Sequence, residues 1–497
     1  MKKINFLKIN IVASLFFQVL SLASNLIIPK LLLEAYGSTV NGLIASITQS
    51  LSFFVLTDMG IGAVVIASLY KPLNDGNYDE VSKIIRSGQK FFNAMAAILT
   101  VYVGILIWIY VSQMADFDAP YVITLTLAMA LNSFTNYFMG RINTFVLQAD
   151  QKIYISMFIN SVVYILNIMA CVILMKIGVT VQLYKWISAL ILMLHPIGLK
   201  IYVQRHYPLR KIGYTEEPLK QKWNGLAHHV ASVVFNNTDV IILTWGSSLE
   251  TVSVYAIYSG VVRGVQCLIT SITSSVQSHL GVLYAKKDIN KLRDQFHLFE
   301  LAMHIGATIL YGCTAVLITP FVEVYTQRVH DYNYSAPIFG CLLSLAYMVH
   351  SYRSTYYVMI LAAGHFRETQ KSLWIEVTIN IALSFLFVRR TGLIGVVIGT
   401  LAAMSYQALY MAIYSAKYIL DQTIHTFFKH ILVDFIVIGM MFLLSNNIKM
   451  YSVSYSAWIL LAIKVFLISC SVALLVNGVF FKESIGQLLF FKRPKHK

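Results

Sequence analysis

Residues 154–176 read YISMFINSVVYILNIMACVILMK, and their single charged side chain is the terminal Lys176. An uncharged run of about 20 apolar residues is what an α-helix needs to cross the hydrocarbon core of a bilayer. The composition extends this pattern to the whole chain, because 58% of its 497 residues are hydrophobic and only 12% are charged. Soluble domains carry roughly 25% charged residues, and disordered chains are poor in apolar ones. We therefore predict an all-α polytopic membrane protein.

The same pattern recurs along the chain and predicts about fourteen membrane-spanning helices. The predicted spans are 9–33, 42–70, 90–113, 120–148, 154–176, 182–204, 225–247, 251–278, 296–320, 336–364, 371–391, 393–419, 430–448 and 456–481. The polar segments between these spans are too short to form an extramembrane domain.

The basic residues predict the orientation of the spans, since Lys and Arg concentrate in cytoplasmic loops. With the N-terminus inside, 26 of the 38 Lys and Arg residues fall on the cytoplasmic side and 6 on the opposite side. We therefore expect both termini in the cytoplasm. This asymmetry also accounts for most of the net charge of +16, so no nucleic-acid partner is predicted.

Two parts of the chain resemble each other. LYKPLNDGNYDEV from Leu69 and LYAKKDINKL from Leu283 both place an LY pair before a charged segment, and TVNGLIAS from Thr39 is echoed by TVSVYAIY from Thr251. The copies lie six spans apart, which predicts two six-helix halves in parallel orientation. The predicted domains are an N-terminal half (1–204), a cytoplasmic linker (205–224), a C-terminal half (225–419) and two additional helices with a basic tail (420–497). Transporters built from such repeats bind their substrate between the halves.

Motifs for several kinds of chemistry are absent from the sequence. It contains no G-x-x-x-x-G-K-[ST] nucleotide-binding loop, no H-E-x-x-H metal motif and no G-x-S-x-G nucleophile motif. We therefore expect no enzyme activity, no cofactor and no metal site.

Charged residues inside the predicted spans are the candidate site, because each costs at least about 2.5 kcal/mol in a bilayer unless it faces protein or water. The basic ones are Lys30, Arg141, Lys200, Arg263, Arg353 and Lys464, and the acidic ones are chiefly Asp58, Asp239 and Glu376. Arg263, Arg353 and Arg141 lie progressively further from mid-membrane towards the cytoplasmic side. A guanidinium group stays ionised and presents a planar set of donors to phosphate oxygens. We predict that these three arginines bind a pyrophosphate or an acidic sugar, with isolated ion pairs as the alternative.

The remaining candidates have two interpretations each. Lys30 and Lys200 either bind the same anion or extend from span ends towards the interface. Asp58, Asp239 and Asn236 either form interhelical hydrogen bonds or serve a transport step. In that step, an aspartate pairs with a site arginine or binds a coupling cation.

The stretches TDMGIG from Thr57, NNTDVIIL from Asn236, TVSVYAIYSGVVRG from Thr251 and RSTYYVMILAAGHFRETQ from Arg353 resemble bacterial polysaccharide flippases (O-antigen type) of the multidrug/oligosaccharidyl-lipid/polysaccharide exporter superfamily. The resemblance covers nearly the whole chain. It implies a multi-pass flippase of the bacterial cytoplasmic membrane that moves an undecaprenyl-pyrophosphate-linked oligosaccharide to the outer leaflet by alternating access. Its partners would be membrane lipids, a coupling H⁺ or Na⁺, and the polymerase machinery for surface polysaccharide.

Two alternatives remain open within the same superfamily. A flippase for the lipid-linked peptidoglycan precursor shares this chemistry, so the sequence separates it poorly. A drug/cation antiporter should have mainly acidic residues in its cavity, whereas here the basic in-span residues outnumber the acidic ones by six to three.

Overall fold

The computed structural model describes residues 6–54, 61–114, 116–210, 212, 226–365 and 367–490. The predicted site residue Asp58 therefore lies outside the described residues. The chain divides into two compact units, Met1–Val233 and Val234–Lys497.

The first unit is built from helices joined by short turns. Its elements are α1 (Phe6–Ser52), α2 (Ile61–Asn74), α3 (Tyr78–Gln113), α4 (Ala119–Thr135), a π-helical turn (Asn136–Gly140), α5 (Arg141–Ala149), α6 (Ile153–Ile177) and α7 (Val181–His206).

The second unit is also helical. Its elements are α8 (Leu226–Gly246), which begins before the boundary between the units, α9 (Leu249–Ala285), α10 (Ile289–Tyr325), α11 (Pro337–Ala363), α12 (Gln370–Thr391), α13 (Leu393–Tyr418), α14 (His425–Ser445), α15 (Tyr455–Phe480) and α16 (Lys482–Phe490).

The predicted all-α, multi-pass membrane fold is confirmed. Within the described residues, eleven helices are long and apolar enough to cross a membrane. From the third predicted span onward, each span coincides with one helix, or in the case of 120–148 with α4, the π-helical turn and α5 together. The total of fourteen spans, the positions of the termini and the predicted domain limits remain predictions.

The largest departure from the predicted spans is in the first 74 residues. The predicted interruption between 33 and 42 is a kink within α1 at Gly37, whose φ of 82° is a conformation that glycine adopts without a steric penalty. Helix α1 then continues to Ser52, so the predicted span 42–70 is divided between the end of α1 and α2.

The sequence repeat corresponds to a repeated turn geometry. In the first unit, Gly76 has a φ of 67° and the side chain of Asn77 caps α3 by accepting from the Glu80 amide. In the second unit, Lys287 has a φ of 56° and the side chain of Asp288 caps α10 in the same way. The charged segments after the LY pairs are continuous with the long helices α3 and α10, which have 36 and 37 residues.

A tight pairing of α12 and α13 positions several polar residues of the second unit. The two helices are joined only by Gly392, whose φ is 53°. A Cβ atom on Gly399 would lie 2.8 Å from the backbone nitrogen of Ser384 and 2.9 Å from the carbonyl oxygen of Asn380. The absence of a side chain at Gly399 therefore allows α13 to contact the backbone of α12 directly.

Candidate functional site

Arg353 forms a buried ion pair in the second unit. Its Nη1 donates to both carboxylate oxygens of Glu376 at 3.2 Å, and its Nη2 donates to Nε2 of His350 at 2.8 Å. The side chains of Arg353 and Glu376 are only 15% and 3% exposed. The third donor nitrogen, Nε, is buried and has no hydrogen-bond partner within the described residues. Arg353 is thus held in place by a carboxylate while part of its donor capacity remains unused.

Arg263 lies on the neighbouring helix α9. Its Nε donates to the hydroxyl of Tyr347 on α11 at 3.4 Å, and one turn further along, the Gln266 amide lies 3.4 Å from Nδ1 of His350. The contact positions rise together along α9 and α11, so the two helices run in parallel. Arg263 and Arg353 are therefore connected through Tyr347, Gln266 and His350.

Asp239 on α8 is the centre of a second group of polar contacts. Its Oδ2 accepts from the hydroxyls of Tyr255 at 2.9 Å and Thr400 at 2.8 Å, and its Oδ1 accepts from Asn380 Nδ2 at 3.3 Å. Asp239 is 6% exposed and Asn380 is fully buried. The donors around this carboxylate are neutral, and the nearby guanidinium of Arg263 acts on it electrostatically.

The surroundings of Asp239 are rich in oxygen atoms that a cation can use. The amide oxygen Oδ1 of Asn380 is buried and has no hydrogen-bond partner among the described residues. The hydroxyl of Thr400 lies 3.1 Å from the Val396 carbonyl oxygen as well as 2.8 Å from Asp239. Carboxylate, amide, hydroxyl and carbonyl oxygens are the ligand types that hard cations prefer. The arrangement can therefore accept either a proton on the carboxylate or a small hard cation.

The arginine and aspartate groups belong to one polar network. Glu376 and Asn380 are four residues apart on α12 and so share one face of that helix. Glu376 contacts Arg353, and Asn380 contacts Asp239. The two guanidinium groups, of Arg263 and Arg353, are matched by two carboxylates. When both carboxylates are ionised, this network therefore contains equal numbers of positive and negative groups. It lacks the excess of basic residues that was counted over all predicted spans.

Arg141 lies in the first unit, where it begins α5 directly after the π-helical turn. This turn frees backbone carbonyl groups from the helix, and the side-chain amide of Gln89 on α3 donates to the carbonyl oxygens of Tyr137 and Phe138 at 3.2 and 3.1 Å. Such π-helical turns occur frequently at functional sites. The structure therefore places Arg141 at an irregular point of its span.

The other predicted residues lie on α1, α7 and α8. Lys30 pairs with Glu34, one helical turn later, at 3.7 Å. Lys200 is half-buried on α7, and Asn236 lies on α8. The sequence interpretation did not consider Glu34, although its spacing of four residues from Lys30 indicates such a pair.

Several residues of the network were not predicted from the sequence. They are Tyr255, Gln266, Tyr347, His350, Asn380 and Thr400. A local signal existed for two of them, since His350 lies one turn before Arg353 and Asn380 one turn after Glu376. The others are brought in by the packing of α9, α11 and α13.

Comparisons with known proteins identify the fold. No family model matches this chain, and no curated protein matches it. The solved structure of the lipid II flippase MurJ in an inward closed conformation has a TM-score of 0.70 at 16% identity, covering 96% of this chain and 99% of that one. An inward-facing multidrug resistance MATE family transporter of the MOP superfamily has a TM-score of 0.64 at 11% identity, covering 80% of this chain and 94% of that one. An outward-facing structure of the same kind has a TM-score of 0.59 at 12% identity, covering 83% and 94%. The chain therefore has the multi-pass membrane fold that these flippase and transporter structures share.

Proposed function

We propose that this protein is a flippase that moves an undecaprenyl-pyrophosphate-linked oligosaccharide across a bacterial cytoplasmic membrane for surface polysaccharide assembly. The observation that carries the proposal is the pair of connected arginines, Arg263 and Arg353, inside a flippase and transporter fold. Two permanently charged donors at bilayer depth have a reason to persist if they bind an anionic group.

The surface of α9 beside Arg263 has room for such a group. Cβ atoms placed on Gly260 and Gly264 would meet no atom of another described part of the chain within 4 Å, and Ser271 is exposed further along the same face. Arg353 contributes its unused Nε donor. In this proposal the two arginines bind the pyrophosphate and acidic sugars, and the lipid tail stays in the bilayer. Arg141, Lys30 and Lys200 remain further predicted contacts for the same anion.

Asp239 supplies a route for coupling translocation to an ion gradient. When H⁺ or Na⁺ binds to its carboxylate, the negative charge that acts on Arg263 is neutralised, and the guanidinium becomes available to the anionic headgroup. The two binding events then favour each other, because coupling between binding sites is reciprocal. Asn380 and Thr400 orient the carboxylate in both states. Asn236 and Asp58, which were predicted from the sequence, remain further candidates for binding the coupling ion.

The function is tested by complementation of bacterial strains that lack a defined flippase. We expect this protein to restore surface polysaccharide in a strain without its polysaccharide flippase. Arg263→Ala should abolish that restoration at an unchanged membrane level. Arg328→Ala, which alters an exposed arginine, is the matched control and should have no effect. Undiminished surface glycan with Arg263→Ala would contradict the proposal.

The coupling role of Asp239 is tested by thermal unfolding of the purified protein in NaCl and in KCl. A bound ion raises the melting temperature by mass action. We expect Na⁺ or a lower pH to stabilise the wild type, with the effect lost in Asp239→Asn and reduced in Thr400→Ala. Asp294→Asn, at an exposed position, serves as control. If neither Na⁺ nor pH separates Asp239→Asn from this control, Asp239 is not the coupling site.

A flippase for a lipid-linked peptidoglycan precursor is the second candidate. It is favoured by the structure named a lipid II flippase, which matches 96% of this chain, whereas the inward-facing MATE transporter matches 80%. The complementation experiment separates the candidates, since rescue of a strain lacking its lipid II flippase would identify this function. A drug/cation antiporter would instead confer drug resistance and restore neither pathway.

A further inference from the structure

A second group of buried ionisable residues lies in the second unit and takes no part in the arginine network. On α10, the residues His297, Glu300, His304 and Thr308 are spaced by three or four and so share one face. Opposite them are Tyr352 and Tyr356 on α11 and His430 and Asp434 on α14. We call these eight residues the histidine cluster.

The centre of the histidine cluster is a direct contact between His304 and Asp434. Nδ1 of His304 lies 2.6 Å from Asp434 Oδ2, and the Thr308 hydroxyl donates to Oδ1 at 2.9 Å. The Tyr352 hydroxyl lies 2.7 Å from that of Thr308. A carboxylate at this distance holds the proton on Nδ1 of a neutral imidazole, which leaves the lone pair on Nε2. His304 Nε2 is buried and has no hydrogen-bond partner within the described residues. It is therefore a proton acceptor with a carboxylate already in place to balance the resulting charge.

Aromatic rings cover both faces of the His304 imidazole. Tyr352 stacks on it at 4.2 Å between ring centroids, and His430 stacks at 4.8 Å. The ring of Phe481 in turn stacks on His430 at 4.4 Å. His304 itself is 0% exposed. The ring is fixed in orientation, so Nε2 can change its protonation without a rotation of the side chain.

A route towards the surface runs along α10. The side chain of His297 is 37% exposed, and its Nδ1 lies 3.3 Å from Oε2 of the buried Glu300. Tyr356 donates to the other oxygen of Glu300. His430 lies within electrostatic reach of Glu300, His304 and Asp434. Ionisable groups thus extend from the partly exposed His297 to the buried pair of His304 and Asp434.

The net charge of the histidine cluster depends on how many of its histidines and carboxylates are protonated. The ion-pair partners of Glu300 and Asp434 are both histidines, in contrast to Glu376, which is paired with a permanently charged arginine. Beside His430 and Asp434, helices α14 and α15 contribute apolar residues to the neighbouring core, for example Val433, Val437 and Val465. Besides His304, the ionisable groups of the cluster are His297 and Glu300 from α10, Tyr352 and Tyr356 from α11, and His430 and Asp434 from α14. Beyond His430, Lys429 of α14 lies over the ring of Phe481 at 4.4 Å.

We propose that His304 and Asp434 form a proton-binding site, loaded through His297 and Glu300, where helix α14 packs against α10 and α11. A proton from water adds to the lone pair of His304 Nε2. Nδ1 keeps its own proton, and the imidazolium is balanced by the Asp434 carboxylate. Asp434 and His430 belong to α14, whereas His304 belongs to α10. The protonation state of His304 therefore affects the contact between α14 and α10 directly. The site of His304 and Asp434 is separate from Asp239, and its protonation can be measured without the transported substrate.

The test is an NMR titration of the full-length protein in detergent with isotope-labelled histidine. The imidazole signal that is missing in His304→Gln is followed between about pH 4 and pH 9. We expect this signal to titrate, and Asp434→Asn to lower its midpoint by on the order of one pH unit, because the balancing charge is removed. His330→Gln, at an exposed position, is the matched control and should leave the signal unchanged.

A His304 signal that does not titrate in this range, or a midpoint that Asp434→Asn leaves in place, would overturn the proposal. If Asp434→Asn fails to fold, Thr308→Val removes one hydrogen bond from the carboxylate at similar volume and should shift the midpoint by a smaller amount; no shift there would be equally decisive. The readout is an imidazole signal and not transport, so the result is independent of the glycan experiment on Arg263.

Discussion

The interiors of the two units differ in chemistry although their sequences and turns repeat. In the described part of the first unit, the buried polar residues are serines, threonines and asparagines, such as Ser46, Thr126 and Asn143. In the second unit, buried carboxylates and imidazoles are added. These residues are Asp239, Glu300, His304, His350, Glu376, His430 and Asp434. The repeated turn geometry before α3 and α10 is therefore not accompanied by a repeated set of buried ionisable residues.

The buried groups of the two units differ in the free energy that their desolvation costs. Some buried hydroxyl groups of the first unit pair with one another, as where Ser46 and Ser50 contact the Tyr110 hydroxyl at 2.6 and 2.9 Å. Buried carboxylates are expensive to desolvate and are retained in membrane proteins mainly where they bind or transfer charge. The ion-binding roles proposed above accordingly fall in the second unit. We therefore expect equivalent substitutions in the two units to change stability by unequal amounts.

The largest difference is expected for the two glutamate ion pairs. Glu376→Gln leaves the guanidinium of Arg353 buried without its carboxylate, so we expect a loss of stability of about 3 kcal/mol. Glu34→Gln removes the partner of Lys30 in a pair whose side chains are 24% and 20% exposed. Its expected cost is about 0.5 kcal/mol. Unfolding of the purified variants in detergent measures both values.

A double variant distinguishes loss of the charge pair from loss of packing. Arg353→Gln combined with Glu376→Gln removes both charges, so it should be more stable than Glu376→Gln alone. Equal destabilisation by Glu376→Gln and Glu34→Gln would contradict the expected difference between the interiors of the two units.

A smaller difference is expected for two glycines at close helix contacts. In Gly399→Ala, the new Cβ meets backbone atoms of Ser384 and Asn380, which cannot move independently of α12. We expect a cost of about 2 kcal/mol and a weakened contact between Asn380 and Asp239. In Gly88→Ala, the new Cβ lies 2.6 Å from the terminal Cδ1 of Ile142, which can rotate away.

The Gly88→Ala variant of the first unit should be close to wild type. The gain of about 1 kcal/mol in helix propensity from glycine to alanine offsets the readjustment of Ile142. The same unfolding measurement applies to both glycine variants, with Na⁺-dependent or pH-dependent stabilisation as a second readout for Gly399→Ala. A Gly88→Ala variant as unstable as Gly399→Ala would refute the assignment of the backbone contact as the cause.

The sequence predicted the helices well because long apolar runs separated by short polar breaks leave few alternatives. It placed the limits of α6, α7, α8, α11, α12, α13 and α15 within two residues. Helices α9 and α10 extend up to seven residues beyond their predicted spans, and α14 begins five residues earlier than predicted. The sequence predicted a break between spans where α1 only kinks at Gly37. It missed the π-helical turn before Arg141, which does not interrupt the apolar pattern. Glu376 was recognised as an in-span acid, but its partner Arg353 is fixed by the packing of α11 against α12.

The histidine cluster could not be predicted from the sequence at all. The sequence contains thirteen histidines, and nothing local distinguishes His304 or His430 from the rest. His304 and Asp434 are 130 positions apart, and only the docking of α14 on α10 brings them together. In an apolar chain, burial of a polar residue can be predicted from its position in a span, whereas its partner depends on tertiary contacts.

The smallest effect is expected from a charged group at the surface of the first unit. Lys152, in the turn between α5 and α6, lies 2.7 Å from Asp150, which also accepts from the Tyr207 hydroxyl at 2.5 Å. Burial lowers the pKa of Lys152, but the hydrogen bond and the charge of Asp150 outweigh it and leave the pKa raised above 10.5. Burial and then Asp150 raise the pKa of Tyr207 above its ordinary value of 10.0.

Both groups have a higher pKa in the folded state than in the unfolded state. Their contribution to stability is therefore complete below about pH 10 and is lost as the pH rises through the folded-state values. Asp150→Asn should lower stability by about 0.5 kcal/mol at neutral pH, and this deficit should shrink above pH 10, where the wild type loses the same interactions. Asp75→Asn, at an exposed position in another turn of the first unit, should parallel the wild type throughout. Melting temperatures recorded from about pH 7 to pH 11 test this, and identical profiles for the two variants would mean that Asp150 does not hold this turn. Because these charges lie outside the spans, even complete loss of the interaction should leave the buried ion pair of the second unit intact, which separates surface from interior electrostatics within one protein.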